Sequence, residues 1–219
     1  MFLVLDAVLD KAEVAAMVAA AADLTFADGK TTAGRFAREV KANDQAVASD
    51  GLQAIEAKVT AVLAGHALFQ SAARPKAVSR LILSRYREGQ TYGLHVDDAL
   101  MGGLRTDLSF TLFLSNPDSY DGGALIVEDM VESRAFKPGA GDLILYPSTT
   151  LHRVEPVTRG TRLAVVGWVQ SWIRSAEQRE ILFDLDRSIA EVHAQGGKSA
   201  LFDRLAKTRS NLIRQWAGG

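Results

Sequence analysis

The sequence predicts a mainly β protein with flanking helices, an α+β chain whose centre is a sandwich or jelly roll. Three observations carry that expectation. Five short apolar runs, AVSRLILSRY, LSFTLFLS, GALIVED, DLILYP and RLAVVGWVQS, follow one another after Pro75 with Gly, Pro, Asn and Asp turns between them. Helical periodicity is confined to the stretches before and after these runs. The 219 residues suit one large domain with appendages, and a chain of this length buries about 70% of its unfolded surface without staples. The expected organisation is an N-terminal strand and helix region over 1–75, a core over 76–174 and a C-terminal helical appendage over 175–219.

Taken in order, Phe2 to Leu5 reads as a short apolar strand. Asp10 followed by Glu13 resembles a helix N-terminus for the alanine-rich run to Ala22. From Ala27 to Asp50 polar and small residues dominate without a sustained period, which predicts a loop with a helical turn or two. Leu52, Ile55, Val59 and Val62/Leu63 then recur at spacings of three and four, the mark of an amphipathic helix. Beyond Ile173, Ser175 with Gln178 suggests a capping box, and Ile181, Leu182, Leu185 and Ile189 form a stripe. Gly196-Gly197 breaks it. A last helix from about Ser199 to Trp216 has Leu201, Leu205, Leu212 and Trp216 as its expected apolar face.

Composition narrows the chemistry. With 25 basic and 26 acidic residues the net charge is −1, so no overall positive field draws nucleic acid or anionic lipid. No apolar stretch approaches the roughly 20 residues of a membrane span, and the N-terminus lacks the pattern of a secretory signal; a cytoplasmic location is expected. The absence of cysteine excludes thiol nucleophiles and sulfur-ligated metals, leaving His, Asp and Glu as the strong ligands.

His95 and Asp97 lie two apart in YGLHVDDA, and residues i and i+2 of an extended segment project to one side. Asp98 is the rival carboxylate, with strand parity favouring Asp97. His152 follows DLILYP and the turn-like STT, where loops converge at a sheet rim. Two imidazoles and one carboxylate make the facial set that binds non-haem Fe(II) while leaving positions open for a chelating co-substrate and O₂. Ten residues on, Arg162 begins the strand RLAVVGWV, and its guanidinium suits the far carboxylate of a chelating 2-oxo acid. Tyr86 could donate its hydroxyl to the same carboxylate, or serve simply as core. Other features read as structural: Asp121-Gly122-Gly123 as a hairpin turn, and His66 and His193 as helix-end groups near terminal carbonyls. The basic residues from Arg204 to Arg214 read as a solvated helix face. Trp168 could line a substrate cavity or pack in the core.

The segments SRYREGQTYGLHVDDA, DLSFTLFLSNPDSYDGGALIVED, KPGAGDLILYPSTTLHRVEPVTRGTR and VGWVQSWIRSAEQREILFDLD occur in this order. The chain thereby resembles the iron- and 2-oxoglutarate-dependent dioxygenases, in particular the prolyl-4-hydroxylase-like group and its PKHD-type hydroxylases. DGKTTAG and VKANDQ extend the likeness upstream. The resemblance implies a double-stranded β-helix (jelly roll) core and His95, Asp97 and His152 as iron ligands and catalytic centre. It further implies Arg162 as the 2-oxoglutarate anchor and ascorbate as an auxiliary reductant. The expected activity couples oxidative decarboxylation of 2-oxoglutarate to hydroxylation of a C–H bond in a small-molecule or peptidyl substrate, with prolyl and amino-acid-like groups as the family precedent. Two rival readings are a cupin-type iron oxygenase that does without 2-oxoglutarate and a non-catalytic metal-binding jelly roll. The C-terminal helices are the expected surface for any homo-oligomer.

Overall fold

The computed structural model describes residues 1–128 and 132–218. Asp129, which ends the predicted strand GALIVED, and Gly219, which ends the predicted appendage, lie outside the described residues. Two antiparallel sheets face each other. The larger has Leu3–Leu5, Leu143–Pro147, Leu108–Phe113, Val157–Ser171, Ile82–Arg87, Asp44–Ala46 and Phe26–Asp28 side by side. The smaller runs Ser133–Phe136, Leu125–Glu128, His152–Val154, Thr91–His95 and Lys41–Ala42. Helices cover the outer face of the larger sheet, so the mainly β architecture with flanking helices is observed.

Strand parity explains how one sheet serves two layers. All six residues of Leu108–Phe113 are buried. Leu108, Phe110 and Leu112 pack in the core with Leu143, Leu145, Val165 and the helices. Phe113 packs with Ile144 and Tyr146 in a second cluster between the sheets, and Ser109 and Thr111 line the cavity there. Such a strand lacks the exposed charged residues of a half-buried one because neither face meets water. Each fully buried aliphatic side chain contributes about 1.5–3 kcal/mol.

Helix α1 (Lys11–Ala22) carries the expected capping box: the Glu13 amide donates to Asp10 at 2.8 Å and the Asp10 amide to Glu13 at 3.0 Å. Helix α2 (Asp50–Gly65), capped by Ser49, buries Leu52, Ile55, Val59 and Leu63, the predicted stripe. A short helix α3 (Ala67–Ala73) follows that periodicity does not reveal. His66 is its N-cap, accepting the Phe69 amide at 3.3 Å, rather than a cation at terminal carbonyls.

The C-terminal part is two helices, α4 (Ala176–Gly196) and α5 (Ala200–Trp216). Ser175 caps α4 through the Gln178 amide, but its hydroxyl turns to Glu177, so only half of the expected box forms. Leu182 and Phe183 are buried, whereas Ile181 of the predicted stripe faces out. In α5 Leu201 is 48% exposed, and Phe202 meets His193 of α4 instead. Asp186 of α4 fastens the assembly by pairing with Arg74 beyond α3 and Arg209 of α5.

Two further expectations are corrected. Residues 27–50 contain not only the turns Gly29–Thr32 and Ala37–Val40 but also the short strands Lys41–Ala42 and Asp44–Ala46, with Phe26–Asp28 pairing the latter. Asp121-Gly122-Gly123 is no hairpin turn. Tyr120–Gly122 pairs with the Val157–Ser171 strand, and the chain then crosses to the other sheet. Gly122 and Gly123 do adopt φ of +67° and +63°.

Candidate functional site

A cavity of about 120 Å³ opens between the sheets. His95 ends its strand and His152 begins the neighbouring one, and the two are direct partners across the ladder. From there the register slips. The step from His152 to Val154 is matched by the longer step from Tyr92 to His95, a bulge that turns both Tyr92 and His95 inward. Their rings stack at 3.6 Å. Gly93 lets Val40 pack directly on this strand, since a Cβ there would stand 2.7 Å from Val40 Cβ. His95 and His152 are 8% and 5% exposed, their ring centres 4.2 Å apart.

Asp97 lies just past the strand end, so strand parity does not place it. Ser109 does. Its hydroxyl donates to Asp97 Oδ2 at 2.5 Å and meets Ser148 at 2.8 Å, leaving Oδ1 3.8 Å from His152 Nε2. Asp98 is exposed. One ligand atom from each of His95, Asp97 and His152 lies within 4.8 Å of the others.

The protonation pattern suits a metal. His95 Nδ1 faces the Gly93 carbonyl at 2.9 Å and His152 Nδ1 faces the Thr150 carbonyl at 3.0 Å. A carbonyl oxygen can only accept, so each Nδ1 carries a proton and Nε2 is the nitrogen left to face a metal. Burial, then the neighbouring His152, brings His95 down to about 4, which keeps it neutral near pH 7.

Arg162 and Tyr86 are paired across adjacent strands and face the same cavity. The strand holding Arg162 starts at Val157, earlier than its apolar run suggests. The guanidinium is 1% exposed and lies over the rings of Tyr86 at 5.2 Å and Phe113 at 5.0 Å. Among the described residues no acid pairs with it, and its Nε has no partner. A lone buried cation is costly, so this cradle fits an anion supplied from outside. Burial raises the Tyr86 hydroxyl above its ordinary value, with the Arg162 charge opposing. Trp168 also reaches the cavity, its indole N–H buried and unpartnered.

Several lining residues escape sequence reading. Ser109 and Tyr146 sit inside apolar runs, and Lys41, Asn43 and Gln45 come from the segment read as a loop. Their signal is an alternation of polar rather than apolar side chains.

The sequence model of the 2OG-Fe(II) oxygenase superfamily matches residues 81–170, and that of the PKHD-type hydroxylase C-terminal domain matches 177–218. A PKHD-type hydroxylase of Maricaulis maris is 54% identical over 192 residues, 88% of each chain. One of Synechococcus elongatus is 47% identical over 222 residues, covering 99% of this chain and 100% of that one. Among solved structures, a Pseudomonas putida prolyl-4-hydroxylase superposes with TM-score 0.53 at 20% identity, over 78% of this chain and 92% of that one. A Trichoplax adhaerens prolyl hydroxylase, solved with a hypoxia inducible factor peptide fragment, gives 0.57 at 15%, over 83% and 86%. The fold is therefore the jelly roll of these oxygenases. The chain belongs to the PKHD-type hydroxylases of the 2OG-Fe(II) oxygenase superfamily and is a 2-oxoglutarate-dependent dioxygenase.

Proposed function

We propose that this protein hydroxylates a C–H bond of a small-molecule or peptidyl substrate, with His95, Asp97 and His152 holding Fe(II) and Arg162 and Tyr86 holding the distal carboxylate of 2-oxoglutarate. The observation that carries this reading is a buried guanidinium, without an acidic partner among the described residues, sharing one cavity with the His/Asp/His cluster. A cupin-type site that does without 2-oxoglutarate, or a structural metal site, has no use for such a cation.

When bound, iron and 2-oxoglutarate would supply the oxidising chemistry with O₂ as the oxidant, one oxygen atom entering succinate as CO₂ leaves and the other becoming the hydroxyl on the substrate. The chain supplies position and shelter. The Gly93 and Thr150 carbonyls fix both imidazoles with Nε2 towards the cavity, and Ser109 orients Asp97. Tyr92 stacks on His95 and Tyr146 meets His152 in a T-shaped contact, so aromatic rings wall both imidazoles. Arg162 and Tyr86 offer donors to a carboxylate at the other end.

We extend the proposal to ascorbate as auxiliary reductant, a cytoplasmic location and homo-oligomerisation through α4 and α5, all drawn from the family resemblance and the sequence. The division at 1–75, 76–174 and 175–219 is kept, supported by family matches that fall inside the last two parts. No helix among the described residues is long and apolar enough to cross a membrane. The test is anaerobic addition of 2-oxoglutarate to the Fe(II)-loaded protein. A visible charge-transfer band is expected; retained iron with no band overturns the proposal in favour of a site that does without the keto acid.

A further inference from the structure

Lys41 stands on the edge strand of the smaller sheet, directly opposite Tyr92, and faces the same cavity. It is only 5% exposed. Its ammonium lies 4.9 Å from the centre of the Tyr92 ring, the ring that stacks on His95. One of its three donors reaches the Thr32 hydroxyl at 3.2 Å, and that hydroxyl is itself engaged with Gln45 at 2.6 Å. Among the described residues no carboxylate is in salt-bridge contact with it. Lysine is among the residues least often buried without a partner, and a structural lysine at a sheet edge would extend its head into water.

Charge matching sharpens the point, and it rests on the iron and 2-oxoglutarate site proposed above. A divalent metal held by Asp97 is neutralised by that carboxylate and the chelating carboxylate of the keto acid. Arg162 is neutralised by the distal carboxylate. The Lys41 ammonium is left over beside the reacting centre, with no carboxylate in salt-bridge contact among the described residues and the exposed Asp28 as its remaining acidic neighbour. We infer that Lys41 is a specificity-determining residue that binds a carboxylate of the primary substrate, so that the substrate is an organic acid or a chain bearing a free carboxylate near the oxidised carbon. A single ammonium with two free donors suits a carboxylate; a phosphate dianion calls for more donors than this wall offers. Burial brings the lysine down to about 8, with Asp97 and Asp28 opposing, so the cation persists at neutral pH.

The test is calorimetric binding to the Fe(II)- and 2-oxoglutarate-loaded protein under anaerobic conditions, where no turnover occurs. The probes are N-acetylglycine, N-acetylalanine and N-acetylleucine, each paired with its carboxamide. At least one acid is expected to bind about tenfold or more tightly than its amide without displacing 2-oxoglutarate. Lys41→Met should reduce that ratio to about one, and Lys41→Arg should keep most of it. If no acid outbinds its amide in the unaltered protein, if the acid competes with 2-oxoglutarate, or if Lys41→Met preserves the preference, the inference falls. Should Lys41→Met not fold, Lys41→Gln and the acid-to-amide ratio of the unaltered protein decide the matter. Failure of 2-oxoglutarate itself to bind would count instead against the proposed function, and the same comparison on protein loaded with iron alone would still judge Lys41.

Discussion

Replacing Arg162 by methionine should have two opposite consequences. The guanidinium is 1% exposed and has two aromatic faces but no acidic partner among the described residues. If a ligand carboxylate completes it, removing the cation strands that carboxylate in a dry site, at a cost of about 3–5 kcal/mol. That weakens 2-oxoglutarate roughly a hundredfold to a few thousandfold. The ligand-free protein should respond differently, because methionine fills similar space without an unpaired buried charge. Its stability should be unchanged or higher. The attraction between the guanidinium and the two rings, about 0.5–2 kcal/mol, offsets only part of the relieved desolvation. Calorimetric titration of 2-oxoglutarate into the iron-loaded protein reads the first effect. Thermal unfolding without ligands reads the second, at about 2–4 °C for each kcal/mol in a chain of this size. A variant that unfolds several degrees earlier yet binds 2-oxoglutarate within about threefold of the parent would refute the reasoning, since Arg162 would then be an ordinary core residue.

Ser109→Ala should leave the fold intact and lower metal affinity about 10–100-fold by freeing the Asp97 carboxylate, measured by chelator competition; an unchanged affinity would remove Ser109 from the site. Gly167→Ala should destabilise the protein by about 1–3 kcal/mol in urea denaturation, because the added methyl would meet Leu81 and Phe110 at 2.6 Å in the packed core. In metal-free protein, His95 is held down to about 4, so between about 6.5 and 4 the unfolded chain takes up a proton that the folded one refuses. Stability should therefore fall as pH falls through that window, by at most about 3 kcal/mol, and His95→Gln should flatten the profile. A profile that rises towards acid would contradict the assignment.

How legible this molecule is depends on which side of each strand meets water. The helix start at Asp10 and the stripe of α2 are readable because capping and a period of 3.6 are local. The central strands are readable as apolar runs. Parity points to Asp97, but the structure does not use parity there: the strand stops at His95, and a serine 12 residues beyond Asp97 does the placing. Lys41–Ala42 and Asp44–Ala46 escape because such short strands show hardly one alternation, and their inward side chains are polar. His66 misleads because an imidazole between two helices can serve either end, and only the backbone shows which.

The segment from Gly29 to Ala46 is bound to the rest of the molecule by short ladders at the margins of both sheets, while Leu108–Phe113 is gripped on both faces. A change on the central strand disturbs packing and chemistry together. A change on the marginal segment alters the cavity wall supplied by Lys41, Asn43 and Gln45, and reaches the His95 side through Tyr92 and Gly93. Substitutions in that one short stretch near the amino end therefore act on the lining of the cavity more than on the central packing.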